Sequence, residues 1–130
     1  MTGSVTGAPR HLLRAEGMAV LIAAGSAYAQ TGASWWLFAM LFLAPDLSIL
    51  GYLAGPRIGA ICYNATHSYL LPLGFCAWGL VHPESWALAL GLIWAAHVGL
   101  DRMLGFGLKY AADFKASHLG WPEWGLTGVR

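Results

Sequence analysis

The sequence predicts an all-α integral membrane protein, built as a four-helix transmembrane bundle, on the strength of three observations. The chain of 130 residues is 58% hydrophobic and only 10% charged, which leaves too little polar surface to cover a soluble domain. Its apolar residues fall into four stretches, each near the length that crosses about 30 Å of hydrocarbon. Short connections containing Gly or Pro separate the stretches, so we expect consecutive helices to be antiparallel neighbours.

These four stretches are predicted to form one domain, residues 1–130. The predicted helices cover 12–30, 34–53, 58–81 and 85–110. Pro45 lies inside the second helix and is expected to kink it, because proline has no backbone N–H to donate. The remaining tail, 111–130, mixes Trp with Lys and acidic residues, which favours an interfacial helix on the headgroups. A poorly ordered tail is the alternative.

Basic and aromatic residues predict the orientation of the bundle. The basic residues flank helix 1, the connection between helices 2 and 3, and the end of helix 4: Arg10, Arg14, Arg57, Lys109, Lys115 and Arg130. The other two connections contain no Lys or Arg, so the positive-inside rule places both termini in the cytoplasm. Four tryptophans at the opposite helix ends form an aromatic belt on the outer face: Trp35, Trp36, Trp78 and Trp86. The lipid bilayer is the expected partner, and a net charge of +1 without a basic run gives no case for nucleic acid.

Two Asp and two His side chains lie deep inside the predicted helices: Asp46, His67, His97 and Asp101. Such side chains are costly in hydrocarbon and usually mark a functional site. Counted from the cytoplasmic helix ends, all four lie at roughly 10–16 Å depth. His97 and Asp101 are four residues apart and share one helix face, a spacing at which both can ligate one ion. We therefore predict that the four residues bind a metal ion and that Asp46 and Asp101 are also the catalytic carboxylates.

Other interpretations of these residues remain open at this point. Each His could simply bond to another helix, and Asp46 could form an ion pair with Arg102 at matching depth. Asn64 lies three residues before His67 on the same face and is predicted to orient a substrate or ligand. Arg102 is predicted to receive an anionic group, as is the rim formed by Arg14 with Glu16.

Three segments of the sequence carry a resemblance to a known family. They are 44–52 (APDLSILGY), 55–67 (GPRIGAICYNATH) and 93–110 (IWAAHVGLDRMLGFGLKY), and together they resemble an uncharacterised bacterial membrane family, domain-of-unknown-function family 4260. The resemblance extends from Leu13 to Gly120 and implies the inner membrane of a bacterium, without an activity. Pro45-Asp46 with Thr66-His67-Ser68 is also similar to a signature of small membrane-bound metal-dependent hydrolases, although the His-Arg-Gly before Thr-His is missing here.

The predicted site is compatible with three functions. The first is a metal-dependent hydrolase, with zinc as the first candidate, acting on a lipid or amphipathic substrate in the membrane. The second is a cofactor-binding or accessory subunit of a membrane complex, in which His67 and His97 ligate haem or another tetrapyrrole. The third is a proton or ion pathway through the same Asp and His residues, for which a homo-oligomer is expected.

Overall fold

The computed structural model describes residues 4–109 and 117–119. Over these residues the fold contains five α-helices and one 3-10 helix, and it has no β-strand. The helices are α1 (Gly7–Thr31), α2 (Trp35–Leu41), the 3-10 helix (Ala44–Ala54), α3 (Pro56–His67), α4 (Leu70–Val81) and α5 (Ala87–Leu104). The predicted all-α class is confirmed.

Three helical segments are long and apolar enough to cross a membrane. They are α1, the segment Trp35–Ala54 that joins α2 to the 3-10 helix, and α5. Within the second of these, the α-helix ends at Leu41 and the 3-10 helix begins at Ala44, with Pro45 in its first turn. The break expected near Pro45 is therefore present. A 3-10 helix rises about 2.0 Å per residue, so eleven residues extend about 22 Å.

The predicted helix 58–81 is divided in the structure into α3 and α4, of twelve residues each. Ser68 adopts an extended conformation (φ −91°, ψ 162°) and ends α3. Side chains of α5 explain where this break falls, because they bond to the last carbonyl groups of α3. Trp94 Nε1 donates to Thr66 O at 2.6 Å, and Arg102 donates to His67 O at 2.9 Å. The sequence is locally polar at the break, over 64–69 (NATHSY), but it is apolar on both sides, and the whole stretch was predicted as one helix.

Helix α5 is the central element of the fold. It packs against α1, α2 and α4, whereas α3 packs against the 3-10 helix. Glycines permit the closest of these contacts: a Cβ atom on Gly99 would lie 2.7 Å from Gly17 O and 2.8 Å from the backbone nitrogen of Leu21. Small residues at helix interfaces are common in membrane proteins because they let two backbones approach. His97 and Asp101 are thus carried by the best-buried helix.

Helix α5 ends at Leu104, six residues before the predicted end at residue 110. Gly105 has a φ of +98° and closes the helix in a Schellman motif, with its N–H bonded to Arg102 O and the N–H of Phe106 bonded to Asp101 O. A positive φ at this position favours glycine, which explains why the helix stops there although the apolar pattern continues.

Two described stretches that follow α5 pair with each other. Lys109 pairs with Ser117 in an isolated antiparallel bridge, and Leu108 and His118 bond to each other. The N-terminal Val5 donates to His118 O at 2.7 Å, so both ends of the described chain meet here. The predicted interfacial helix over 111–130 lies outside the described residues apart from 117–119, which form a bridge and a turn.

Candidate metal centre

The structure brings the four ionisable side chains together at one point. Asp46 comes from the first turn of the 3-10 helix, His67 from the last residue of α3, and His97 and Asp101 from α5. One ligand atom from each residue lies within 4.8 Å of the other three. The predicted convergence of the helices on one layer is therefore found, although helix rotation could not be fixed from the sequence.

Five of the six distances within this cluster are close to the edges of a zinc tetrahedron, and the sixth, between Asp46 and Asp101, is within 4.8 Å. His67 Nε2 lies 3.1 Å from Asp46 Oδ1 and 3.2 Å from His97 Nε2. The remaining three His–Asp distances are each 3.3 Å. Four ligands held about 2.0 Å from a zinc ion at tetrahedral angles are separated by about 3.3 Å. The two histidines are thus spaced from each other and from both carboxylates as ligands of a single ion would be.

The two carboxylate oxygens and two imidazole nitrogens of the cluster favour a positive charge at its centre. Each carboxylate presents an acceptor oxygen, and a neutral imidazole with hydrogen on Nδ1 presents an acceptor at Nε2. Four acceptors at about 3 Å repel one another unless protons or a cation lie between them. Protons on both Nε2 atoms would point at each other across 3.2 Å. A single divalent cation satisfies all four atoms at once.

Hydrogen bonds fix the ring of His67 in the orientation that a metal ligand needs. Its Nδ1 lies 3.0 Å from Tyr63 O and 2.9 Å from Thr66 Oγ1, so the ring hydrogen belongs on Nδ1 and the lone pair of Nε2 faces the cluster. Thr66 Oγ1 donates in turn to Ser48 Oγ at 2.8 Å, and Ser48 Oγ donates to Pro45 O at 2.8 Å. This chain of bonds joins His67 to the backbone that precedes Asp46.

The second histidine is held by packing. Both His67 and His97 are only 1% exposed. The ring of His97 meets Phe42 edge to face, with ring centroids 5.4 Å apart. Its Nδ1 is buried and has no hydrogen-bond partner among the residues that the structure describes. Its Nε2, by contrast, lies within 3.3 Å of His67, Asp46 and Asp101, so the polar interactions of this ring concentrate on the cluster.

The cluster is open on one side. The side chain of Asp101 is 15% exposed and that of Asp46 is 40% exposed, whereas both histidines are fully enclosed. Leu43 and Leu47, which flank Asp46, are themselves exposed. Access to the centre therefore leads past Asp46, along an apolar face of the 3-10 helix.

Arg102 does not pair with Asp46, so the ion pair considered from the sequence is absent. Its guanidinium donates to His67 O at 2.9 Å and to Phe106 O at 3.3 Å. Within the described part of the chain, no carboxylate lies within ion-pair distance of it. Arg102 and Asp101 are adjacent on α5 and point about 100° apart, which explains why only one of them faces the cluster.

Asn64 is engaged by the segment that follows α5. Its side-chain nitrogen donates to Lys109 O at 2.8 Å, and its side-chain oxygen accepts from the Lys109 N–H at 2.6 Å. Both polar ends of the amide are therefore used to hold this backbone. Asn64 was predicted to orient a substrate or ligand. In the structure its bonds to Lys109 help to position α3, so any effect on the cluster is indirect.

Several supporting residues were not identified from the sequence. Tyr63 stacks on His67 with ring centroids 3.8 Å apart, and Lys109 Nζ lies 4.9 Å from the centroid of the Tyr63 ring. Burial lowers the pKa of Lys109 to about 8, against an opposing effect of Asp101. Trp94 anchors the end of α3, as described above. Its position three residues before His97, on the same helix face, was a signal that could have been used.

Comparison with known proteins places the chain in a family. The family model described as Domain of unknown function (DUF4260) matches residues 10–121. The chain belongs to this family, in agreement with the resemblance in its sequence motifs. No curated protein and no solved structure matches the chain.

Proposed function

We propose that the protein is a metal-dependent hydrolase of the membrane, with the four-residue cluster as its active centre. The observation that carries this proposal is the set of five distances between 3.1 and 3.3 Å that join two imidazole nitrogens and two carboxylate oxygens. Mixed nitrogen and oxygen ligands in tetrahedral arrangement suit zinc. A zinc ion bound there would polarise a carbonyl or phosphoryl oxygen and lower the pKa of a coordinated water to about 7.

The unequal exposure of the ligands supports a division of roles among them. His67, His97 and Asp101 are the enclosed residues and would hold the ion as a two-histidine, one-carboxylate set, which is typical of catalytic zinc sites. Asp46 is the exposed member, and we assign it the exchangeable position. When substrate enters, the Asp46 carboxylate is placed to accept a proton from the attacking water. Asp101 contributes as the charged ligand that balances the ion.

A membrane-associated substrate fits the surroundings of the centre. Access leads past Leu43 and Leu47, which are 62% and 67% exposed, so an amphipathic molecule can approach from the bilayer side. We place both termini in the cytoplasm of a bacterium and the bundle in its inner membrane, with α3 and α4 together making the fourth crossing. The basic residues at one end of the helices and the tryptophans at the other support this orientation. Lipid-borne esters, amides or phosphates are the proposed substrates.

The tetrapyrrole alternative receives no support from the geometry. Axial ligands of a haem lie on opposite faces of the macrocycle. The Nε2 atoms of His67 and His97 are 3.2 Å apart, with two carboxylate oxygens at the same point. A porphyrin ring between them would require the two helices to separate.

Metal analysis of the purified protein tests the proposal. We expect on the order of one divalent ion per chain in the wild type, and loss of the ion in His97→Ala. His82→Ala is the matched control, because His82 lies outside the cluster and pairs with Glu84. If His97→Ala does not fold, the shift of the unfolding temperature of wild-type protein on adding zinc measures the same site.

A second variant separates metal binding from chemistry. Asp46→Asn should keep the ion on the three enclosed ligands and lose hydrolysis of a short-chain phospholipid ester, by about 100-fold or more. Wild-type protein without metal contradicts the whole proposal. Metal-loaded protein that hydrolyses no ester, amide or phosphate would leave a metal centre and refute the hydrolase.

A further inference from the structure

A separate cavity lies next to the candidate metal centre, between α1 and the ends of α3 and α5. Its volume is about 390 Å³, within the range of small-molecule sites. Leu13 and Ala19 line it on the side of α1, and Tyr69, Arg102 and His118 line it on the other. Glu16 and Val20, also on α1, complete the described lining, so the α1 side is apolar apart from one carboxylate and the other side is polar.

Arg102 gives this cavity a buried positive charge. The residue is only 7% exposed, and its guanidinium contacts two carbonyl oxygens and the face of Tyr69, with the guanidinium carbon 6.0 Å from the ring centroid. A guanidinium has five N–H donors, and the two carbonyls use two of them. A buried charge is costly unless it is paired. In the described residues, Arg102 has no carboxylate partner within 4.0 Å, so its charge remains available to a ligand.

Two further polar groups of the cavity, on Tyr69 and His118, are also donors. Tyr69 has a buried hydroxyl without a hydrogen-bond partner among the described residues. His118 Nδ1 accepts from the N–H of Leu108 at 2.9 Å, which leaves the hydrogen of the neutral ring on Nε2. Burial and the charge of Arg102 both lower the pKa of His118, which favours this neutral form. Three donor groups thus line one wall, and an anion with several acceptor oxygens is the complementary ligand.

Glu16 is the one acidic residue among the described residues that line the cavity. The side chain is exposed and forms no ion pair with Arg102 in the described structure. It lies on α1, on the side of the cavity opposite the three donors. Its charge acts against an anion at the rim but does not neutralise the buried guanidinium.

We propose that this cavity binds a phosphate-bearing ligand, with the phosphate on Arg102 and Tyr69 and any acyl chain along Leu13 and Ala19. Phosphate suits the guanidinium because two of its oxygens can accept parallel N–H bonds. The site does not require a metal ion, and binding can be measured without turnover. Arg102 bonds to the carbonyl of His67, so the bound phosphate lies beside the end of α3 that carries a ligand of the metal centre.

Binding of three compounds to detergent-solubilised protein tests this site and identifies the source of the phosphate. Dihexanoylphosphatidylglycerol carries both phosphate and acyl chains, inorganic phosphate carries no chain, and dihexanoylglycerol carries no phosphate. Saturable binding of the phospholipid without binding of dihexanoylglycerol is the expected result. If inorganic phosphate binds about as tightly as the phospholipid, the natural ligand is a free phosphate compound. If inorganic phosphate binds at least about tenfold more weakly than the phospholipid, the ligand is a lipid headgroup.

Two variants locate the binding within the cavity. Arg102→Gln removes the charge and should weaken phospholipid binding by about tenfold or more. Because Arg102 also supports α3, Ala19→Phe provides a second test that fills the cavity and leaves the arginine in place. The control is Ala29→Phe, an exposed position ten residues further along α1. Absence of phosphate-dependent binding, or binding that Ala19→Phe leaves unchanged, overturns the proposal.

Discussion

Substitution of Gly17 by alanine tests the contact between α1 and α5 that holds the central helix in place. A Cβ atom on Gly17 would lie 2.7 Å from Gly99 O and 2.8 Å from the backbone nitrogen of Met103, and it would also overlap the Cβ of Arg102. Ordinary contact begins at 3.4 Å, so the backbone neighbours are too close by up to about 0.7 Å. Backbone atoms cannot rotate away, and the two helices must separate. Overpacking of this kind costs about 1–3 kcal/mol.

The matched control is Gly25→Ala in the same helix. A Cβ atom at Gly25 would meet nothing within 4 Å. Both variants gain the same helix propensity, of about 1 kcal/mol, so the difference between them isolates the helix contact. The assay is unfolding of each variant in mixed detergent micelles with increasing sodium dodecyl sulfate, followed by circular dichroism. We expect Gly17→Ala to be less stable than Gly25→Ala by about 1–3 kcal/mol.

Equal stability of the two alanine variants would refute the described packing. It would mean that α1 does not approach α5 at Gly17, and the cavity between them would lose its apolar wall. A larger loss of stability in Gly25→Ala would also contradict the packing, because a Cβ atom at Gly25 would meet nothing within 4 Å.

Three further predictions concern the surroundings of the site. Thr66→Val removes the hydroxyl that bonds to His67 Nδ1 and should weaken metal affinity by about tenfold in competition with a chelator, while the fold is retained. The pKa of His118 is lowered by burial, so its neutral form stabilises the fold above about pH 6.5. This contribution is lost as the pH falls below that value, and the thermal midpoint of wild type should fall more steeply there than that of His118→Gln. Burial lowers the pKa of Lys109 to about 8, so stability should rise between about pH 8 and 10.5 in wild type and not in Lys109→Met.

Each of these predictions has an outcome that contradicts it. Unchanged metal affinity in Thr66→Val would show that the hydroxyl does not orient His67; Thr31→Val, at the far end of α1, is the control. Parallel acid profiles of wild type and His118→Gln would mean that the histidine is not buried as described. An alkaline rise that persists in Lys109→Met would have to come from another group.

The core of the site could be predicted from the sequence because helix periodicity fixes which residues share a face. His97 and Asp101 are four residues apart, and the structure places both on the same face of α5 against His67. Counting residues from the cytoplasmic ends of antiparallel helices was enough to predict that Asp46 lies at the same depth as these residues. The membrane class followed from composition alone, since few polar residues are present to cover a soluble surface.

The features that could not be predicted depend on contacts between distant parts of the chain. The break between α3 and α4 is set by Trp94 and Arg102 of α5, which bond to carbonyl groups that an uninterrupted helix would have used itself. The run 64–69 (NATHSY) around Ser68 is locally polar, but polarity alone does not distinguish a helix break from a polar site inside a continuous helix. The ion pair between Arg102 and Asp46 that the sequence left open is absent, because the rotation of Arg102 about α5 directs it to backbone carbonyls instead. In the same way, Asn64 was assigned to a ligand although it binds the backbone of Lys109.

X-ray absorption spectroscopy of the purified, zinc-loaded protein tests the central claim most directly, because it reports the atoms around the ion. The account predicts a first shell of nitrogen and oxygen atoms at about 2.0 Å, with the outer-shell scattering of two imidazole rings. Loss of one imidazole contribution in His97→Ala, and none in His82→Ala, would assign the signal to the cluster. A sulfur shell near 2.3 Å would place the ion on Cys62 or Cys76 and contradict the account, as would protein that retains no zinc.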